Sequence, residues 1–552
     1  MTLRIALQIT VLVGLSMITF GSVAGNQFFS VDDASFIEEN QIQHVLQLDS
    51  KGFFDIWSRP TLGLYIPIPN LAWATLAKMS ESSAEDPAKL GHAAFPDQRF
   101  DPAVFHLASL VCHVLAGLMV FGSLVLLGSG PWGAFFGAAV FLFHPVQVEG
   151  IAWASLLKDL LATLFATTAL LFYILSSRRD AHSDDPRSVS FRIYHALAFV
   201  FYVFALCSKP AAIVLPLIIG LIGLLILNRP FGTLAKQLIP WALCAIPIVI
   251  VTSNVQLEDA AVQYEIVDVM LRPIIALDAL TFYLLKLVAP LQLTFDYGRS
   301  PESVLESSWT FITWTPPIAI AALVFRERKH HPWLAVACGV FLLGVLPTLG
   351  LKAFAFQTFS TVTDHYLNLS MLGVAIGVGF GVQVALQKLQ KANKAPASFA
   401  LVGIALLIAL CFKSHSQINH WQTSEAIYGH AIAVNTKSWF SHRMLGLEQE
   451  LRDDPDQALI HYRRSMAING NTYGHSELFY RMNEAKDYER ALEIISDVVD
   501  RHHRDTDYFT RAQIHFSLGR LSDSVKDLEE ARRQSPPPDL AARIDRALAE
   551  LR

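Results

Sequence analysis

Apolar residues gather in long runs over the first three quarters of the chain and in short periodic pieces over the last. A membrane-spanning helix takes about 20 predominantly apolar residues. Runs of that order lie near 3–25, 103–127, 131–148, 151–176, 193–209, 211–228, 237–254, 308–325, 333–351, 366–386 and 398–413, so the pattern predicts eleven spans. Arg4 precedes the first run, whose apolar stretch exceeds the core of a signal peptide, so it reads as an uncleaved anchor. The run 271–290 differs, because Arg272, Asp278 and Lys286 interrupt it. Such groups are expensive at mid-bilayer, and the segment is expected to be interfacial or re-entrant.

Beyond residue 413 the pattern changes period. Asp454-Pro-Asp-Gln-Ala458, Asp487-Tyr-Glu-Arg-Ala491 and Arg520-Leu-Ser-Asp-Ser524 recur with their small residues 33 positions apart, and Thr423-Ser-Glu-Ala426 precedes Ala458 by 32. Each opens a stretch of helical sequence. The period predicts stacked helix pairs, with Pro536–Pro538 breaking the array before a capping helix over 539–551. The chain is thus expected to be all-α, with a membrane domain at 1–413 and a soluble repeat domain at 414–552.

Composition sharpens that division. Only 16% of the 552 residues are charged and 53% are hydrophobic, against about 25% charged in soluble domains. Of the 91 Asp, Glu, Lys and Arg residues, 51 fall in the first 413 positions and 40 in the last 139. A wholly soluble or disordered chain is excluded. Cys112, Cys207, Cys244, Cys338 and Cys411 lie singly in apolar runs, without disulfide or zinc spacing. A net charge of −5 and the lack of a basic stripe give no sign of nucleic-acid binding.

Basic loops set the orientation. Arg178 to Arg192, Arg229 with Lys236, Arg326 to Lys329 and Lys388 to Lys394 all belong inside by the positive-inside rule. The N-terminus is then cytoplasmic and the repeat domain extracytoplasmic. The expected location is a bacterial cytoplasmic (inner) membrane, with the endoplasmic reticulum membrane as second choice.

The outer loops then hold the candidate chemistry. Asp32 and Asp33 could cap a helix at 34–48, with Glu38 and Glu39 nearby, or Asp33 could be a general base that takes a proton from an acceptor hydroxyl. His144-Pro-Val-Gln-Val-Glu149 ends the third span, and Lys158 and Asp159 follow in an apolar segment. Ionisable residues at that depth need partners and often mark a site. Neighbours in sequence do not face each other on a helix, so Lys158 and Asp159 each need another partner. Lys209, in Ser208-Lys209-Pro210, reads as a snorkelling lysine or as a point charge for a phosphate. Arg59 could grip a phosphate bidentately, and His365 could do so when protonated. His106 and His113 share a helix face, where packing or a water cavity is favoured. His502–His503 reads as a solvated pair.

Taken in order, Asp32–Asp33, Arg59–Pro60, Phe105–His106, His144 to Glu149 with Trp153 and Lys158–Asp159, Ser208 to Pro210, Lys286 with Pro290, and Thr361-Val-Thr-Asp-His-Tyr366 resemble a known family. These are the transmembrane and tetratricopeptide-repeat-containing, protein O-mannosyltransferase-like members of the GT-C glycosyltransferases. The likeness covers nearly the whole chain and departs at His365, where the family has Arg, and at Asn368, where an aromatic residue is usual. It implies a polyprenyl-phosphate sugar donor and inverting transfer of mannose or a similar sugar to Ser or Thr hydroxyls at the outer face. Asp33 would be the base with Asp32 orienting it. Lys209, Arg59 and His365 would bind the donor phosphate, and His144, Glu149, Lys158, Asp159, Asp364 and Tyr366 would support the donor pocket. The repeats would dock an acceptor protein. No obligatory cofactor is expected, with Mg or Mn at Asp32 and Glu149 as the alternative. Two rival readings are a lipid or glycan acceptor for the same donor, and a non-enzymatic membrane-anchored scaffold.

Overall fold

The structure is a computed structural model of the chain. It describes residues 2–29, 32–33, 50–58, 60–61, 63–80, 100–180, 189–258, 267–393, 397–470 and 473–551. Regular structure among them is helical, apart from an isolated bridge between Thr61 and Leu64. The chain forms two compact units, one within residues 1–430 and one over 431–552.

The first unit runs α1 (Thr2–Phe20), α2 (Ser50–Ser58), α3 (Pro67–Ser80), α4 (Pro102–Leu127), α5 (Gly130–Phe143), α6 (Val148–Ala152), α7 (Leu157–Asp180), α8 (Val189–Ser208), α9 (Leu215–Leu225) and α10 (Phe231–Glu258). It continues through α11 (Arg272–Val288), α12 (Pro301–Glu306), α13 (Thr315–Glu327), α14 (Pro332–Val345), α15 (Met371–Lys391) and α16 (Ala397–Ile418). Eight helices among the described residues are long and apolar enough to cross a membrane, and nine if α5 and the segment after it form one bent span. Pro210–Leu225 and Pro332–Thr348 are apolar but shorter. The eleven hydropathy runs therefore yield eight or nine full-length spans, because the helices in runs 211–228 and 333–351 end early, at Leu225 and Thr348. The chain is a multi-pass membrane protein by these helices. The run 271–290 forms α11, which is not among the full-length spans.

Small residues set the closest approaches in this unit. A Cβ at Gly133 of α5 would clash with the carbonyl oxygen of Gly379 on α15, and one at Gly137 would lie 2.5 Å from that of Ala375. Only glycine allows the two helices this separation, as is common where lipid supplies no hydrophobic drive. Around that seam pack α4 with α5 and α7, α7 with α8, and α14 with α15. His113 on α4 reaches the Leu142 carbonyl at 2.9 Å, and His106 reaches that of Gln27 at 3.4 Å. Both are packing histidines. The α5 helix stops at His144 and turns by 50° into residues 145–152, which opens the space where polar residues collect.

The helix α17 (Ser424–Val434) crosses the division between the units. The second unit then holds three helix hairpins and a last helix: α18 (Trp439–Leu451) with α19 (Pro455–Asn469), α20 (Tyr473–Glu484) with α21 (Tyr488–His502), α22 (Asp505–Ser517) with α23 (Leu521–Arg533), and α24 (Pro538–Leu551). The recurring motif has a local cause. Asp454 and Asp487 cap the second helix of their hairpins, accepting from the N–H groups of Gln457 at 3.1 Å and Arg490 at 3.3 Å. The small residues Ala458, Ala491 and Ser524 are buried against neighbouring helices, where larger side chains would hold the helices apart. Arg463 pairs with Asp497 at 2.6 Å, Arg490 with Asp456 at 3.1 Å and Arg520 with Glu489 at 2.7 Å. Each pair joins one hairpin to the next.

Candidate functional site

Two carboxylates beyond the first span have different surroundings. Asp33 is fully buried. Its Oδ2 accepts from the Phe29 N–H at 2.9 Å and its Oδ1 from the Ser155 N–H at 2.8 Å. Burial raises its pKa to about 7, the amide donors pull it down less, and Asp32 adds repulsion. That value would suit a base near neutrality, but both oxygens are already engaged and no face is open. Asp33 is therefore a clasp between the segment after α1 and the turn before α7. Asp32 is half-buried and acts electrostatically on Lys158 and Tyr366. The helix expected at 34–48 and the side chain of Arg59 lie outside the described residues.

The start of α7 supplies the adjacent charges. Lys158 is buried and donates to the Ser155 carbonyl at 3.0 Å. Asp159 turns elsewhere, and its Oδ1 pairs with Lys209 at the turn after α8. The other oxygen of Asp159 is buried without a hydrogen-bond partner. Lys209 is half-buried, and its Nζ lies 5.4 Å from the centre of the Tyr366 ring. Asp32, Lys158, Asp159 and Lys209 thus alternate in sign, with Tyr366 beside them.

Glu149 organises the neighbouring loop. Its Oε1 accepts from Thr363 Oγ1 at 2.6 Å and from His365 Nδ1 at 2.7 Å, and its Oε2 accepts from the Asp364 N–H at 3.0 Å. Three consecutive residues are therefore fixed by one carboxylate more than 200 positions away. His365 is left with Nε2 to offer a ligand. Its ring lies 4.5 Å from that of Tyr366, and His365 and Asp159 are near enough to interact electrostatically, so the loop and the charged group form one site.

Behind them, Tyr297 donates to Asp364 Oδ1 at 2.8 Å and Tyr283 accepts from the Thr363 N–H at 3.3 Å. Burial, then Glu149, push the Asp364 carboxyl well above the usual range. Lys286 donates to the carbonyls of Leu291 at 2.5 Å and Gln292 at 3.3 Å, and lies over the Tyr297 ring. Tyr283 and Tyr297 were missed as supports. Only the position of Tyr297 in a polar outer loop could have pointed to it.

His144 stands apart. Its Nδ1 accepts from the Val146 N–H at 3.4 Å and its Nε2 donates to the Leu287 carbonyl at 3.1 Å. It fastens the bend after α5 to α11. Among the described residues no three His, Cys, Asp or Glu side chains assemble as a metal set. Of the pair weighed for Mg or Mn, Glu149 has both oxygens engaged within the loop.

The chain matches no known protein family and no curated protein.

Proposed function

We propose that the chain is a GT-C-type glycosyltransferase that moves a monosaccharide, mannose in the first instance, from a polyprenyl-phosphate donor to Ser or Thr hydroxyls of proteins at the extracytoplasmic face. The observation that carries this reading is the meeting of Asp32, Lys158, Asp159, Lys209, His365 and Tyr366 in one site of a membrane bundle, though they span most of the first unit in sequence. Such a site suits an anionic leaving group on a lipid and an acceptor that must lose a proton.

The geometry favours exchanging the roles of the two aspartates. Asp32 is the base, and Asp33 is a positioning residue that holds it through the Phe29–Ser155 clasp. The acceptor hydroxyl gives its proton to Asp32, its oxygen forms the bond to the sugar's anomeric carbon, and the carbon–oxygen bond to phosphate breaks with its electron pair. Polyprenyl phosphate leaves with that charge, which Lys209 and His365 Nε2 stabilise. Lys209 is released from Asp159 to meet the phosphate, and the freed Asp159 takes donor hydroxyls through the oxygen that now lacks a partner. The hairpins of residues 439–551 form a tetratricopeptide-type array that holds the acceptor chain.

The test is transfer by the full chain in liposomes, from a panel of prenyl-phosphate sugars to secreted acceptor proteins, read by mass spectrometry. One donor should be consumed with sugar found on Ser or Thr, and Lys209→Gln should abolish turnover. Folded protein inert toward every donor and acceptor would remove the reading. Sugar found on lipid alone would move the acceptor class.

A further inference from the structure

A cavity of about 1010 Å³ opens along α1, α5, α15 and α16. Its walls are apolar, among them Leu15, Trp132, Phe136, Leu386, Ile404 and Ile408. On α16 the lining runs from Ala397 to His415, which at about 1.5 Å per residue is about 27 Å. A bilayer's hydrocarbon core is about 30 Å thick. The groove therefore follows the full apolar depth of the membrane, and it includes none of Asp32, Lys158, Asp159, Lys209 or Tyr366.

Charge says what kind of lipid would enter. The four groove helices hold no Asp or Glu. At one end, the Arg4 guanidinium lies 4.6 Å from the centre of the Trp132 ring, and no acidic partner is found for it among the described residues. Gln8, one turn further, donates to the Pro131 carbonyl at 3.1 Å, while its Oε1 is buried with no donor. A Cβ at Gly130 would meet Gln383, so α15 reaches this level with Lys388 and Lys391 still to come. On these four helices Arg4, Lys388 and Lys391 lie toward this end and Lys413 toward the other. At the opposite end, His415 is already bonded to the Thr19 carbonyl at 3.0 Å.

We propose that the groove holds one anionic diacyl phospholipid of the surrounding bilayer. Its phosphate is held by Arg4, with Lys388 and Lys391 adding positive charge at the same end, and its chains run along α1 and α16 toward Cys411. The lipid is a resident part of the folded unit and does not depend on the transferase reading.

Native mass spectrometry of the full chain in mild detergent tests this. After delipidation and exposure to phosphatidylglycerol or phosphatidylcholine, one phosphatidylglycerol should remain per chain and phosphatidylcholine should wash off. Replacing Arg4, Lys388 and Lys391 by Gln should weaken retention roughly fivefold per cation removed. Ile404→Trp fills the groove from α16 and Leu15→Trp fills it from α1. Each should abolish retention while elution and helical content stay as in the parent, and if one fails to fold the other decides. Absence of retained phospholipid, equal retention of both lipids, or retention that survives a folded Trp variant would overturn the proposal. So would a polyprenyl phosphate in that place.

Discussion

The two units use ion pairs in opposite ways. Between the hairpins of residues 439–551 the pairs reach water, with Glu493 52% and Asp456 71% exposed, whereas Arg511–Asp527 within the last hairpin is mostly buried. In the membrane unit Asp159 is 4% and Glu149 1% exposed. An exposed pair contributes up to about 1 kcal/mol, and many contribute less. Losing one partner of a buried pair leaves an uncompensated charge and costs about 3–5 kcal/mol. The ion pairs between hairpins therefore form many weak, replaceable links. The membrane unit concentrates its few charges where each depends on the next.

The sharpest test of that contrast is Asp32→Asn. Transfer should fall by about a hundredfold to ten-thousandfold while the thermal midpoint in detergent stays put. A variant that keeps its turnover would return Asp32 to the status of a spectator. Glu149→Ala should act on folding instead, lowering stability by about 3–5 kcal/mol and exposing 363–365 to protease. An unchanged midpoint would mean that the loop is held by Tyr283 and Tyr297 alone.

Asp33 gives a smaller effect that depends on pH. Folded, it keeps its proton up to about pH 7, whereas an unfolded Asp releases it near about 3.9. The folded chain binds more protons between those values, so this contribution is fully present below about pH 4 and is lost as pH rises through about 7. Asp33→Asn should flatten that part of the stability profile; an unaltered slope would place its origin in other groups. The smallest change is expected at Arg463→Ala in the hairpins, no more than about 1 kcal/mol by thermal unfolding. A loss as large as that at Glu149 would erase the distinction between the units.

Part of this was legible in the sequence. The apolar runs located the membrane helices, and the recurring Asp454 and Asp487 marked helix starts that are capped by those side chains. The adjacency of Lys158 and Asp159 required that each find a separate partner. They do, in the Ser155 carbonyl and in Lys209. The span count was less legible, since hydropathy averages over residues and does not register that two of the helices stop early, at Leu225 and Thr348. Which of Asp32 and Asp33 is seated between backbone amides was not legible at all. Neighbouring carboxylates of one type differ only through which backbone amides come to meet them, and Ser155 is 122 positions away. The same distance effect hid Glu149 as the anchor of 363–365 and Arg299 as the partner of Asp278.

The clasp at Asp33 also bears on how the chain is made. Asp33 leaves the ribosome 122 residues ahead of Ser155, which at about 5–20 residues per second is roughly 6–24 s. Until then Asp33 lacks one of its two amide donors, although Gln27 and Phe28 already have His106 and Phe105 of α4 to meet. Biogenesis therefore passes through an interval in which the Asp33 carboxylate waits for the turn before α7, and a chain halted before residue 155 would leave the clasp half-made.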